Sequence, residues 1–237
     1  PFAMDVDTAS YAIARRHLSE GRLPPAQSVR VEEFINYFKQ HYPAPAVGAF
    51  GISLEGAPSP FGEAGLQLLR IGIQGKVIGP EERKDASLVL VIDVSGSMSE
   101  GNRLELVKDS VRILLDELGP GDEIGIVTYS GRAQILLEPT GVENKDAILG
   151  APRGLTPQRT TNVEEGLQFG YHMARQMNRP GRITRVILLS DGVANVGNVE
   201  AESILDKVRS YLDEGITIST VGVGMFEYND VLLERLA

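Results

Sequence analysis

The apolar residues of the chain change rhythm twice. In residues 5–42 they recur at helical spacing. Val31, Phe34, Ile35 and Phe38 stand at i, i+3, i+4 and i+7, one stripe that needs another surface to lie on. Asp7 or Thr8 can cap an earlier helix that Gly21, Pro24 and Pro25 stop, and Pro43 and Pro45 end the striped one. Residues 48–78 alternate instead. Phe50 to Glu55 and Leu66 to Ile73 read as strands, and the turn-rich Pro58-Ser59-Pro60-Phe61-Gly62 between them makes a hairpin the simplest reading. The polar stretch 79–84 reads as a linker.

From Ala86 the rhythm becomes strand, helix, strand. Leu88 to Ile92 is a continuous apolar run, as expected of a strand covered on both faces. A helix over 104–118 carries Leu104, Val107, Val111, Leu114, Leu115 and Leu118 on one side, and Asn102 with Glu105 has the spacing of a capping box. Strands are expected over 123–129, 133–138, 185–189 and 216–223, the first two joined as a short hairpin across 130–132. Helices are expected over 162–178 and 201–213, and another begins at Asp230. This alternation predicts an α/β fold, a three-layer Rossmann-like domain with a mostly parallel central sheet over 85–237. Residues 1–84 form an appendage of helices and a β-hairpin, too small to hold a core alone.

Composition narrows the function classes. The chain has 237 residues, enough for one large domain or a domain with an appendage, and no cysteine. That removes disulfides, thiolate metal sites and cysteine nucleophiles together. A net charge of −9 argues against a nucleic-acid backbone or an anionic membrane surface as main partner. No apolar run approaches the ~20 residues that span a bilayer. Pro1-Phe2-Ala3-Met4-Asp5 lacks the basic-then-apolar order of a signal peptide, and a first residue other than Met reads as a trimmed chain whose targeting segment is out of sight.

In such sheets ligands bind beyond the carboxyl ends of the strands. The 87–94 strand runs into Asp93-Val94-Ser95-Gly96-Ser97, where Asp93, Ser95 and Ser97 alternate and so project to one side of an extended backbone. The 185–189 strand ends in Ser190-Asp191-Gly192, and Arg159-Thr160-Thr161-Asn162 places hydroxyls at the head of a helix. Three loops can thus converge with two carboxylates and several hydroxyls, and no nitrogen or sulfur donor. An all-oxygen set suits a hard divalent cation: Mg²⁺, Mn²⁺ or Ca²⁺. Zinc or copper would call for cysteine or histidine, and the histidines are His17, His41 and His172. Asp93 and Asp191 roughly cancel the ion's charge, so it would stay electrophilic and accept another carboxylate.

These residues resemble the von Willebrand factor type A domain over about 85–237. Its metal-ion-dependent adhesion site uses Asp-x-Ser-x-Ser, a threonine and an aspartate from three loops. The resemblance implies that Ser95, Ser97 and Thr161 touch the metal, with Asp93 and Asp191 bound directly or through water. Family members show Gly-Gly or Gly-Ser before the threonine where this chain has Arg159-Thr160, a register in which Thr160 is the alternative ligand. The front is similar to the N-terminal region of bacterial envelope-type members, through Asp5-Val6-Asp7-Thr8-Ala9-Ser10-Tyr11, Gly21-Arg22-Leu23-Pro24-Pro25 and Val31 to Phe38. That similarity implies an extracytoplasmic protein of the cell envelope or surface, with a lipid anchor upstream. The family sheet has a sixth strand after the helix that begins at Asp230. Either the piece is truncated or the 48–78 hairpin covers that edge, since an uncovered edge is a pairing liability.

Other motifs have plainer readings. The serines of 95–97 could simply cap the next helix. Asp5-Val6-Asp7 has the Asp-x-Asp spacing of haloacid-dehalogenase phosphatases, but it lacks the preceding apolar strand and reads as a helix cap. Val94 to Met98 is not a nucleophile elbow, and His172 lies inside a predicted helix. There is no Gly-x-x-x-x-Gly-Lys loop, and Gly222-Val223-Gly224 reads as a strand-end turn. Glu81-Glu82 and Glu164-Glu165 read as solvated faces, and the Phe34–Phe38 stripe as packing between appendage and main domain. No catalytic or organic-cofactor set emerges. The expectation is a metal-dependent protein-binding domain, not an enzyme, whose partner supplies an Asp, a Glu or a C-terminal carboxylate. The alternatives are a metal-assisted hydrolase using the same ion as Lewis acid, or a structural domain whose site is filled by its own further chain.

Overall fold

The computed structural model describes residues 6–158, 160–191 and 201–224. The chain divides into two compact units, 1–83 and 84–237. In the first, helices α1 (Ala9–Ser19) and α2 (Val31–Tyr37) pack through Tyr11, whose ring meets those of Phe34, Tyr37 and Phe38 at 5.7, 4.2 and 5.0 Å. The predicted stripe of α2 therefore leans on one aromatic ring, and Val31, Ile35 and Phe38 stay exposed. The buried residue of α2 is Glu33, off that stripe. Its carboxylate accepts a hydrogen bond from the Ser10 amide at 2.8 Å and faces Arg30 at 3.6 Å, so a polar contact joins the two helices beside the aromatic one. Thr8 sits at the N-cap of α1 but makes no side-chain cap bond.

Strands β1 (Phe50–Pro58) and β2 (Gln67–Gly75) form the expected antiparallel hairpin. The register pairs Ile52 with Ile73 and Leu54 with Ile71, which sets these four with Leu69 on one face. Glu55 and Arg70 pair on the other, 2.8 Å apart. There Tyr42 lies so close to Gly72 that a Cβ would stand 2.3 Å from its ring, so any larger residue would have to displace the tyrosine.

The second unit is a five-stranded sheet in the order β5-β4-β3-β6-β7, comprising β3 (Ala86–Asp93), β4 (Glu123–Tyr129), β5 (Ala133–Gly141), β6 (Ile183–Ser190) and β7 (Thr217–Gly222). Four strands run parallel, and β5 is antiparallel because a tight turn joins it to β4. All eight residues of the central β3 are buried. Val89 and Val91 pack with Leu167 and Tyr171 of α5 (Val163–Met177), while Leu88, Leu90 and Ile92 pack with Val107, Val111 and Leu115 of α3 (Arg103–Asp116). The expected three-layer, mostly parallel arrangement is thus present. Gly170 lets α5 approach the sheet closely, since a Cβ there would stand 2.4 Å from the Val91 side chain.

The differences from expectation are local. A six-residue helix, α4 (Lys145–Gly150), is too short to show a period in the sequence. The capping box before α3 does not form: Asn102 takes a left-handed φ of 61° and makes no side-chain cap bond. Helix α6 (Ala201–Asp213) has the expected bounds. The helix expected from Asp230, together with Asp5, Arg159 and Gly192, lies outside the described residues.

A candidate metal centre at the ends of β3 and β6

Strand order reverses at β3, which is followed by β4 on one side and has β6 on the other. Chains leaving the carboxyl ends of β3 and β6 therefore part in opposite directions and leave a crevice there. Asp93 closes β3, and Asp191 follows Ser190, the last residue of β6. Parallel pairing of Ile92 with Leu189 sets Asp93 level with Ser190, so Asp191 follows one residue beyond it at the same end of the sheet. Both are at most 1% exposed.

Asp93 is held by three donors. The Ser95 amide donates to Oδ1 at 2.8 Å, and the Ser190 hydroxyl and the Tyr129 hydroxyl donate to Oδ2 at 2.8 and 3.2 Å. Burial pushes the Asp93 carboxyl above its ordinary pKa. The bonds from Ser95 and Ser190 pull it back, and the neighbouring Asp191 charge adds to the upward push. Burial likewise drives the Tyr129 phenol well above its usual range, with the Asp93 charge acting in the same direction. A site that raises a carboxyl against three hydrogen bonds favours added positive charge.

Ser95 is buried, and its hydroxyl lies 3.1 Å from that of Ser97. Ser95 stands at the N-cap of the 3₁₀ segment Gly96–Asn102 yet makes no side-chain cap bond. The plain capping role is therefore not what Ser95 does. Thr161 is buried and Thr160 exposed, with Thr160 Oγ1 directed to within 2.3 Å of where a Cβ on Gly131 would stand. Two backbone bonds anchor this loop: Gln158 N–H to the Val94 carbonyl and Asn162 N–H to the Ser130 carbonyl, each 2.6 Å. Val94 lies between Asp93 and Ser95, so the threonine loop is pinned to the Asp-x-Ser-x-Ser loop.

The sequence reading missed Arg103. This first residue of α3 is buried, and its Nη1 donates to Asp191 Oδ2 at 2.8 Å and to the Ser97 carbonyl at 3.1 Å. Gly224, beyond β7, approaches so closely that a Cβ would lie 2.7 Å from Arg103 Nε. One guanidinium thus joins the loop after β3, the end of β6 and the end of β7. Its only signal in the sequence was a charge at the first position of a helix, which normally faces water. Glu165 was also misread as solvated. Its carboxylate accepts from the Ala133 amide at 3.2 Å, and its own amide donates to the Asn162 side chain, the cap of α5. Glu164 pairs with Lys207. His172 contacts Gln176 one turn along the same helix and takes no part in the site.

The donor set fits a hard cation in kind. It holds only oxygens, and two buried carboxylates carry more charge than Arg103 offsets. Among the described residues no group of three or more acidic, histidine or cysteine side chains could hold a metal. Any such capacity here rests on pairing two carboxylates with hydroxyls.

An α/β sheet with an oxygen-lined crevice at its switch point defines the class of domain. The particular family follows from the sequence. Residues 88–193 match the von Willebrand factor type A domain, and residues 1–70 match a second family described as von Willebrand factor. The uncharacterized protein YfbK of Escherichia coli (strain K12) is 39% identical over 244 residues, covering 100% of this chain and 42% of its own length. Among solved structures, von Willebrand factor type A from Catenulispora acidiphila superposes with a TM-score of 0.56 at 18% identity, over 84% of this chain and 45% of that one. The pilus adhesin SpaC from Lactobacillus rhamnosus GG, in its open conformation, gives 0.52 at 18%, over 82% and 31%. The chain belongs to the von Willebrand factor type A domain proteins, of bacterial type. It spans less than half the length of YfbK.

Proposed function

We propose that this chain is a divalent-metal-dependent protein-binding domain and not an enzyme. Asp93, Ser95, Ser97, Thr161 and Asp191 would hold Mg²⁺, with Mn²⁺ or Ca²⁺ as substitutes, and a partner's Asp, Glu or C-terminal carboxylate would complete the set. When bound, the metal supplies an electrophilic point for that carboxylate in a surface whose net charge of −9 otherwise repels it. The observation that carries this reading is the pairing of the Ser95 and Ser97 hydroxyls beside two buried carboxylates, without a helix cap to explain it. Thr161, buried, is favoured over the exposed Thr160 as the third-loop ligand.

The chain's own residues divide the work. Tyr129, Ser190 and the Ser95 amide fix the rotamer of Asp93. Arg103 orients Asp191 and leaves the site less negative than its two carboxylates alone, which preserves its pull on an outside anion. A hydrolase would also need a placed base, and the described site offers serine and threonine hydroxyls and two held carboxylates. SpaC, a pilus adhesin of similar fold, agrees with a binding role, and the similarity of the front to envelope-type members supports a place in the cell envelope or on the surface. No described helix is long and apolar enough to cross a membrane. The same similarity of the front supports a lipid anchor upstream.

Calorimetric titration of Mg²⁺, Mn²⁺ and Ca²⁺ into EDTA-treated protein tests the reading. One-to-one saturable binding that disappears in Asp93→Ala is expected. Failure of the wild type to bind at millimolar metal would sink it.

A further inference from the structure

The first unit is rich in apolar side chains and poor in core. Among its described residues Ala14 is the one buried apolar residue, whereas the second unit buries a cluster on each side of its sheet. The hairpin is the clearest case. Its register places Phe50, Ile52, Leu54, Leu69, Ile71 and Ile73 on one face, and all but Ile73 are 57–69% exposed. The opposite face carries the Glu55–Arg70 pair and is the one that Tyr42, Pro43 and Pro45 approach. A contiguous apolar patch of five large side chains marks an interface.

The hairpin's edges agree. Strand β5, at one edge of the five-stranded sheet, carries Glu138 and Pro139 and has two register shifts against β4, features that discourage further pairing. Strands β1 and β2 pair over nine residues each without a shift. Their charges, Glu55 and Arg70, pair with each other, and the one proline, Pro58, stands at the end of β1. Each strand has one partner, so both outer edges of the hairpin lack the guards that β5 has.

The similar structures differ in a way that bears on what covers this face. The second unit is about two thirds of the chain. BatB from Bacteroides thetaiotaomicron matches 65% of this chain with 85% of its own, at a TM-score of 0.52 and 19% identity. The Catenulispora acidiphila and SpaC matches take in 84% and 82% of this chain, so they reach into the first unit, and there the match is 45% and 31% of the longer chain. YfbK likewise matches through both units with 42% of its length. Folds that share part of the first unit thus belong to chains with much more polypeptide.

We propose that the hairpin is the first part of a β layer completed by strands of this same polypeptide C-terminal to residue 237. Those strands extend the hairpin at the edges of β1 and β2 and fold over its apolar face, so the second unit is an insertion in a split domain. A covering segment in the same chain escapes the loss of translational and rotational freedom that a second copy would incur. The hairpin forms a sheet of its own and supplies no strand to the five-stranded one among the described residues, so the sixth strand of the family sheet also falls to the chain after 237. The inference does not depend on the metal reading.

Residue-resolved hydrogen exchange tests it, on the 237-residue chain and on the protein carrying its native chain past residue 237. The amides of 50–58 and 67–75 are expected to exchange about 100-fold or more slowly in the longer protein, the difference between a marginal two-stranded sheet and a packed one. The slowing should include the amides that point outward from the hairpin's edges. Leu54→Asp should leave the rates of the 237-residue chain unchanged and bring those of the longer protein back toward them. Equal rates at both lengths would overturn the proposal. So would protection already present in the 237-residue chain: if it grows with concentration the occupant is a second copy, and if it does not, the chain covers its own hairpin. Slowing confined to amides paired within the hairpin would overturn strand addition.

Discussion

Strand β3 and the hairpin β1–β2 draw on the same aliphatic residues and meet opposite fates. Every residue of β3 is buried, with Val89, Val91 and Ile92 at 0% exposure, whereas Ile52, Leu54 and Leu69 of the hairpin are 69, 65 and 63% exposed. The strand lies between two parallel neighbours and two helical layers. Each hairpin strand has one partner strand, and only Tyr42, Pro43 and Pro45 approach one of its faces, at Gly72 and Gly51. Two-stranded sheets are marginal alone, so the hairpin's apolar face contributes little to stability as it stands. The contrast teaches that apolar content does not measure a strand's contribution; the number of layers around it does. It also explains where the candidate site stands. Two buried charges can be held at a strand end only where the surrounding packing is strong enough to offset their desolvation.

The largest expected effect probes that dependence at the site. Arg103→Met should destabilise the metal-free second unit by about 3–5 kcal/mol, because it leaves the Asp191 carboxylate buried without its cation. Chemical denaturation measures it, and Mg²⁺ should raise the variant's midpoint more than the wild type's. An equal response would show that the arginine and the metal do not compete to neutralise the same carboxylate. Next comes the contrast itself. Leu90→Ala, at 1% exposure in β3, should lower stability by about 2–5 kcal/mol, while Leu54→Ala in β1 should stay within about 0.5 kcal/mol. Comparable losses would mean that the hairpin face is covered in solution. The smallest effect has the opposite sign. Thr128→Val should stabilise the protein by about 1 kcal/mol, since it removes a buried hydroxyl without a protein partner. A loss of stability would mean that the hydroxyl is well served in the free protein.

Much of this was legible in the chain. The unbroken run Leu88 to Ile92 announced a strand covered on both faces, and the alternation of strands and helices announced the sheet. The spacing of Asp93, Ser95 and Ser97 was readable because a strand has a period of two. Other features carried no periodic signal. Helix α4 is shorter than two turns. Glu165 read as a surface charge, and Glu33 carried no signal off the apolar stripe, until the chain folded their carboxylates onto the Ala133 and Ser10 amides. The expected capping box failed because Asn102 is left-handed, a conformation set by the turn that precedes it and not by residue spacing.

The sequence by itself determined the fold class and the candidate ligands, because both follow from short-range regularity: the period of buried side chains and the residues just past each apolar run. Tertiary structure alone decided which of those residues act together. Arg103 and Asp191 are 88 positions apart, and Ser190 and Asp93 are 97 apart. Their pairing depends on strand order, which no local pattern encodes.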